Sequence, residues 1–328
     1  MDCLAGRQSL ATSASSPAWL SGADPDMDAQ RTRLPDGRWH LQHGPIDIVI
    51  GANGDPDSVD SAHEDAWLRF RGILGELVEE LPLLRLPVQG NCPLQGPIAR
   101  RMWHACQPYK SSFITPMAAV AGAVAQELIT CYSISGVARA WVNNGGDIAL
   151  HLAPSESVHI GLYADLARLN LDELQRGIRT DAQFDISSLL PVRGVATSGW
   201  RGRSFSLGIA DSVTVLARTA SEADAAATVI ANAVNLTDPR IQRRPACALK
   251  DNADLGDLAV TVDVPPLEPA LVQQALRAGL KRAQALRGAR LIWSAALICQ
   301  NQIASTDTAA MGTLENHRAN QQAGSVFA

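Results

Sequence analysis

Asn143-Asn144-Gly145-Gly146-Asp147 joins two stretches in which apolar and polar residues alternate, at 137–142 and 147–152. The alternation on both sides predicts two antiparallel strands with this segment as their connection. Glycine has no Cβ atom, so the backbone N–H groups of the segment can point at a ligand and a positive φ costs little. A plain hairpin turn explains the same residues, since Asn-Gly is a strong turn signal, and both interpretations stay open.

Similar patterns extend in both directions from this segment and predict the remaining elements. The predicted strands form a hairpin over 39–50 and recur at 158–163, 193–198, 204–209, 212–217, 257–264 and 290–299. The predicted helices cover 58–81, 98–106, 116–131, 221–234 and 268–287. Strands and helices do not alternate regularly, so the sequence predicts an α+β fold with largely antiparallel sheets and packed helices.

The two ends of the chain lack such periodicity. Residues 1–36 are rich in Ser, Ala, Asp and Pro, which predicts a disordered leader, and Met27 is an alternative to Met1 as the start. A single domain is expected over 37–303, followed by a flexible tail over 304–328.

Composition limits the classes of partner. The 328 residues carry a net charge of −5 and no run of Lys or Arg, which argues against nucleic acid and against an anionic membrane surface. No apolar stretch reaches the roughly 20 residues needed to cross a bilayer. The six cysteines show no C-x-x-C spacing and are typical of a reduced, cytoplasmic protein. Homo-oligomerisation is left open.

A second turn, Thr197-Ser198-Gly199, follows a predicted strand and precedes Arg201 and Arg203. Its hydroxyls and backbone N–H groups could hold a phosphate, and an arginine could neutralise a further oxygen. A polar turn with solvated arginines is the alternative.

Asp224 and Thr228 stand four residues apart in a predicted helix, so their side chains share one face. A carboxylate and a hydroxyl are suitable ligands for Mg²⁺, which binds few protein groups and completes its shell with water and phosphate. The alternative is local: Ser221 and Asp224 have the spacing of a capping box, so Asp224 could satisfy only an amide of its own helix.

The order of these segments resembles the ApbE-like superfamily, the FAD:protein FMN transferases. The resemblance rests on G-G-D at 145–147, A-T-S-G at 196–199, S-V-T-V-L-A at 212–217 and A-D-x-x-A-T at 223–228, and it covers about 113–235. The segments 113–122 and 254–257 are typical of a branch distinct from the transferases and extend the match to about residue 300.

The resemblance implies an ApbE-like fold, Mg²⁺, FAD and an acceptor protein that the sequence does not identify. By similarity, Asp224 and Thr228 would bind the metal together with a backbone carbonyl near 118–121. The residues implied to line the flavin-nucleotide cleft are Asn143, Gly145, Gly146, Asp147, Thr197, Ser198 and Gly199.

The chain departs from the transferases at one functional segment. Where they carry H-x-x-D-P-x-T-G, residues 204–211 contain no histidine, no D-P and no T-G, and Ala125 stands where a second helix of theirs carries an aspartate. Asp211 is the candidate general base, and Arg201 or Arg203 would neutralise charge. Three functions follow: a Mg²⁺-assisted enzyme acting on a flavin phosphoester, a flavin- or pterin-binding protein without chemistry, and an interaction protein that retains only the scaffold.

Overall fold

The computed structural model describes residues 28–162, 182–202, 204–251, 253–306 and 325–327. Most of the predicted leader (1–27) and of the predicted tail (307–324 and 328), as well as Arg203, lie outside the described residues. Strand β1 covers Gln30–Arg33, inside the range assigned to the leader, so the described fold begins before residue 37.

The α+β class with antiparallel sheets is confirmed. In the described residues, nine strands form one fully antiparallel sheet. In spatial order they are β1, β2 (Trp39–His43), β3 (Ile46–Gly54), β4 (Val137–Asn144), β5 (Asp147–Leu152), β8 (Gly194–Ser198), β9 (Ser212–Ala217), β12 (Ser294–Cys299) and β13 (Gln302–Ser305).

Two small sheets complete the strands of the described part. One contains β6 (Ser157–Leu162), β7 (Ala182–Ser187) and β14 (Ser325–Phe327), and the other pairs β10 (Gln242–Pro245) with β11 (Ala259–Asp263). The predicted strand at 204–209 was wrong. The backbone there is bonded elsewhere: Ser206 accepts from the Thr261 amide, and Ile209 donates to the Val234 carbonyl.

Six α-helices are described, and the five predicted ones start one to four residues from their predicted starts. They are α1 (Pro56–Glu79), α2 (Leu81–Leu84), α3 (Pro97–Cys106), α4 (Val120–Ile129), α5 (Ala220–Ala233) and α6 (Pro269–Gly288). Asp55, not Ser58, caps α1, because its carboxylate accepts the Ser58 amide at 3.0 Å. Likewise Thr219, not Ser221, caps α5 by accepting the Glu222 amide at 3.3 Å.

The large sheet buries side chains on both faces. Along β4 and β5, Ala140, Val142 and Ala149 lie in the core that contains the helices, whereas Trp141 and Ile148 lie in a second core with residues of β6 and β7. This alternation is the period-2 geometry of a strand covered on both sides.

Helices α4 and α5 pack at very short range. A Cβ atom added at Gly122 would lie 2.3 Å from the carbonyl oxygen of Ala220. The facing residues are small, since Ala223, Ala226 and Ala227 of α5 are all buried. The close approach brings two backbones together.

In the described part of the chain, no helix is both long and apolar enough to span a bilayer.

Candidate functional site

The two turns predicted from the sequence lie side by side. Strand β5 pairs with β8 through Ile148 and Val195, which brings the ends of both strands to the same edge. There the Asp147 carboxylate accepts the Thr197 amide at 3.1 Å, although the two residues are 50 positions apart. Asp147 is only 8% exposed, so this bond joins the two turns at a buried position.

The glycine-containing turn is a tight hairpin with free space beside it. Gly145 and Gly146 have φ values of 66° and 108°, in the region that favours glycine. The Gly146 amide donates to the Asn143 side chain at 2.8 Å, which closes the turn from within. A Cβ atom at Gly146 would meet nothing within 4 Å. The turn therefore satisfies its own polar groups and also leaves room for a ligand.

Asn144 connects this turn to the helices. The side chain is 6% exposed, and its amide group donates to the carbonyl oxygen of Ala121 at 3.1 Å. One residue further, the Gly122 amide donates to the Asp224 carboxylate at 2.9 Å. Contacts thus run from the hairpin to the start of α4 and on to α5, so the three segments quoted from the sequence meet in one region.

Asp224 caps a helix, but a different helix from the one the sequence suggested. Its carboxylate bonds the Gly122 amide and is stabilised by the Ala121 amide, both in the first turn of α4. Such amides lack partners inside their own helix, and the helix dipole favours a negative charge there. The capping-box alternative within α5 was wrong, since Thr219 fills that role.

The carboxyl group of Asp224 is nevertheless poorly compensated. Burial raises its pKa from 3.8 to about 7, and the two α4 amides only partly oppose this shift. A carboxylate that is desolvated without a neighbouring basic side chain favours either a proton or a cation.

Two further oxygen atoms are available for such a cation. Thr228 lies one turn along α5 on the same face, and its hydroxyl has no partner among the described residues. In an unbroken helix the Gly122 amide would donate to the Ala118 carbonyl. Here it donates to Asp224, because a 3₁₀ turn (Pro116–Ala119) precedes α4. The Ala118 carbonyl is therefore released from that bond.

Asp211, the candidate base, is saturated with donors. Its carboxylate accepts the Trp200 indole N–H at 3.3 Å and the Gln300 amide at 2.5 Å, and it pairs with Arg201 at 3.0 Å. Arg201 also stacks on Trp200, with 5.1 Å between guanidinium carbon and ring centroid. The three donors occupy the carboxylate oxygens, so this geometry favours an anchoring role.

Ser198 and Gly199 belong to this second cluster. Ser198 pairs with Val213 at the end of β8. A Cβ atom at Gly199 would lie 2.2 Å from the Asp211 carbonyl oxygen, so the turn is pressed against that strand. Of the predicted cleft residues, Thr197 contacts Asp147, whereas Gly199 and Arg201 contact Asp211.

Sequence reasoning did not single out Asn144, Gly122 or the pair Thr115–Asp254 as site residues. Thr115 directly precedes the predicted helix over 116–131, where a threonine commonly acts as the cap, but it is 2% exposed and its hydroxyl donates to the Asp254 carboxylate at 2.5 Å. The sequence did offer a signal for this pair, because the segments 113–122 and 254–257 are both typical of the branch that differs from the transferases. The contact joins these two segments.

No group of three or more His, Cys, Asp or Glu side chains that could hold a metal exists among the described residues. A cation at Asp224 would therefore take its other ligands from hydroxyl, carbonyl, water or phosphate oxygens. That donor set suits Mg²⁺ and does not suit zinc, which prefers His and Cys.

Comparison with known proteins gives matches over most of the chain. The family model described as AbpE bacteria matches residues 31–306. A UPF0280 protein of Methanothrix thermoacetophila is 34% identical over 222 residues, covering 64% of this chain and 86% of the relative. A UPF0280 protein of Methanopyrus kandleri is 36% identical over 224 residues, covering 66% of this chain and 83% of the relative.

Solved structures show only distant similarity. The apo form of the Pseudomonas stutzeri flavinyl transferase ApbE matches with 13% identity and a TM-score of 0.40, over 86% of this chain and 94% of that one. The flavin transferase ApbE of Vibrio cholerae matches with 12% identity and a TM-score of 0.32, over 86% and 98% of the two chains.

Proposed function

The chain belongs to the AbpE bacteria family within the ApbE-like superfamily, and from that premise we propose that it binds a flavin nucleotide through a Mg²⁺ ion at Asp224 and Thr228. The bound nucleotide is FAD in this proposal, and the reaction is transfer or cleavage at its phosphoester. The superfamily resemblance supplies the flavin. The residues around Asp224 supply the support for the metal.

The observation that carries the proposal is the uncompensated carboxylate of Asp224. Its pKa is raised by burial, and no basic side chain contributes to the balance. In this proposal the Thr228 hydroxyl and the Ala118 carbonyl would be two further hard oxygen ligands. When bound, Mg²⁺ would neutralise charge on the phosphate oxygens that it contacts.

The two turns provide the remaining contacts to the nucleotide in this proposal. The open space beside Gly146 is where the planar ring would lie against the hairpin. Ser198 offers a hydroxyl group at the end of β8, and Thr197, next to Asp147, has a hydroxyl that also bonds the Thr214 hydroxyl at 2.8 Å. Arg201 keeps its pairing with Asp211 and so would contribute its positive field at a distance, not a direct bond.

The test of the metal site is binding of FAD with and without Mg²⁺. Titrations of FAD followed by flavin fluorescence should show tighter binding with Mg²⁺ in the wild type and no metal effect in Asp224→Ala. Asp211→Asn, which alters a carboxylate that the proposal does not assign to the metal, is the matched control and should keep the metal effect. Equal FAD affinity with and without Mg²⁺ in the wild type would contradict the metal assignment.

A second candidate, binding without chemistry, is favoured by one specific observation. The candidate base Asp211 is fully occupied by Trp200, Arg201 and Gln300. Chromatography of the wild type incubated with FAD and Mg²⁺ separates the two functions. AMP above the level of a metal-free control would establish turnover, and a stable FAD complex without AMP would establish the binding protein.

A further inference from the structure

A cavity of about 320 Å³ lies away from the Asp224 site, at the other end of the contact between α4 and α5. Its walls include Gln126 of α4 and Ser221 and Glu222 of α5. The Ser221 hydroxyl donates to the Gln126 side chain at 2.7 Å. Gln126 lies one turn after Gly122 on α4, whereas Ser221 lies one turn before Asp224 on α5. Because the helices run antiparallel there, this cavity and Thr228 lie on opposite sides of Asp224.

Glu222 lines this cavity and carries an unsatisfied carboxylate oxygen. One oxygen, Oε1, pairs with Arg218 at 3.3 Å. The other, Oε2, is buried and has no hydrogen-bond partner among the described residues. Leaving a buried charged acceptor unpaired is costly, and most such groups in folded proteins find a partner. The free oxygen is therefore a site for an N–H or O–H donor.

Tyr109 brings a donor to the same cavity. The side chain is 2% exposed, yet it lines the cavity, and its hydroxyl has no partner in the described part of the chain. Burial raises the pKa of this phenol well above its ordinary value, so the group keeps its proton and can donate it in a hydrogen bond.

Gln126 provides a second donor. Its carbonyl oxygen already accepts from the Ser221 hydroxyl and amide, at 2.7 and 3.3 Å. The Nε2 group is left without a partner among the described residues, and an amide nitrogen can only donate. The apolar walls are Ala105, Pro108 and Leu291, with the Tyr109 ring beside them.

We propose that this cavity is a second small-molecule site, which binds a planar heterocycle carrying a ring N–H beside a carbonyl oxygen. Glu222 accepts the ring N–H, and Tyr109 and Gln126 donate to the carbonyl oxygen. The apolar walls cover the faces of the ring. The volume lies at the lower end of the range of about 300–1,000 Å³ that is typical of ligand sites. The site uses neither Asp224 nor a metal.

Guanosine and 1-methylguanosine are suitable probes, because a methyl group on the ring nitrogen of the second removes the N–H donor. Isothermal titration of the full chain, with a metal chelator present, should show binding of guanosine and about tenfold weaker binding of 1-methylguanosine, the loss expected when a hydrogen bond to a charged group is removed. The Glu222→Gln substitution should weaken guanosine binding by a similar factor, and Tyr109→Phe should weaken it by a smaller factor.

Two controls keep the outcome specific. Glu79→Gln changes an exposed carboxylate at the end of α1 and should bind guanosine like the wild type. Asp224→Asn should also bind guanosine normally, which separates this site from the flavin-nucleotide proposal. The inference is overturned if guanosine does not bind at about 1 mM, if 1-methylguanosine binds equally well, or if Glu222→Gln folds normally and keeps full affinity.

Discussion

Asp224 and Asp211 are two aspartates in one domain with opposite surroundings. Asp211 sits beside a hairpin turn with an indole N–H, a guanidinium and a backbone amide around its carboxylate. Asp224 sits between two helices, is desolvated, and is compensated only by the amides that begin α4. In the sequence the two look alike, because each aspartate stands between two small residues, in Ala210-Asp211-Ser212 and Ala223-Asp224-Ala225.

The difference shows what makes a carboxylate available for chemistry. A carboxylate with a full set of donors holds structure together and gains little from a further ligand. The negative charge of a buried carboxylate with few donors is unfavourable, so the group binds a proton at low pH and favours a cation at higher pH. The following predictions test this contrast between the two carboxylates, beginning with the largest effect.

The pH dependence of stability should distinguish Asp224 most strongly. Its pKa in the folded protein is raised from 3.8 to about 7, so the folded state holds this proton more tightly than the unfolded state does. The stabilisation of the folded state by this proton is therefore fully present below about pH 4, and it is lost as the pH rises through 7. In urea unfolding with a chelator present, the free energy of unfolding of Asp224→Asn should rise relative to that of the wild type between pH 4 and pH 7, by at most roughly 4 kcal/mol.

Added Mg²⁺ should reverse that order at pH 8, because the metal replaces the lost proton only in the wild type. Parallel stability profiles for Asp224→Asn and the wild type from pH 5 to pH 8 would show that Asp224 is compensated by other means.

Gly122→Ala should produce the next largest effect. The new Cβ atom would lie 2.3 Å from the backbone carbonyl oxygen of Ala220, so α4 and α5 must separate and the bond to Asp224 lengthens. Overpacking of this kind costs about 3 kcal/mol at the upper end of its usual range. Thermal and urea unfolding measure it. Gly75→Ala in α1 is the control, since nothing lies within 4 Å of its added Cβ atom, and a gain in stability is expected there.

Asp211→Ala should cost about 2 kcal/mol, because it leaves an indole N–H and a backbone amide without their acceptor. The Mg²⁺ effect on FAD binding should survive, in contrast to Asp224→Ala. The measurement is urea unfolding alongside the FAD titration. A variant that is fully stable but has lost the metal effect would reverse the roles assigned to the two aspartates.

Asn144→Ala should have the smallest effect, about 1 kcal/mol, the usual contribution of one neutral hydrogen bond. It removes the link between the hairpin and the Ala121 carbonyl and leaves the Gly122–Asp224 bond in place. Urea unfolding checks the value. A loss as large as that of Gly122→Ala would mean that the hairpin, and not the helix contact, holds the start of α4.

Local patterns predicted most elements of this fold. The alternation at 147–152 matches β5, and the helical spacing before Gly288 matches α6. The predictions failed where a residue bonds to a distant part of the chain. Residues 204–209 are apolar enough for a strand, but their backbone groups pair with the end of α5 and with Thr261. Thr115 and Ser221 look like helix caps, yet Thr115 bonds Asp254 and Ser221 bonds Gln126.

The sequence by itself determined the class of fold and the family, and it predicted that two glycine-containing turns and an Asp-x-x-x-Thr helix share one site. Hydrophobic period, turn chemistry and residue order carry that information because they act over a few neighbouring positions. Only the tertiary structure decided which amides surround Asp224 and which donors saturate Asp211. One partner of each aspartate lies about a hundred positions away along the chain, Gly122 for Asp224 and Gln300 for Asp211, and no local sequence pattern records that they are close in space.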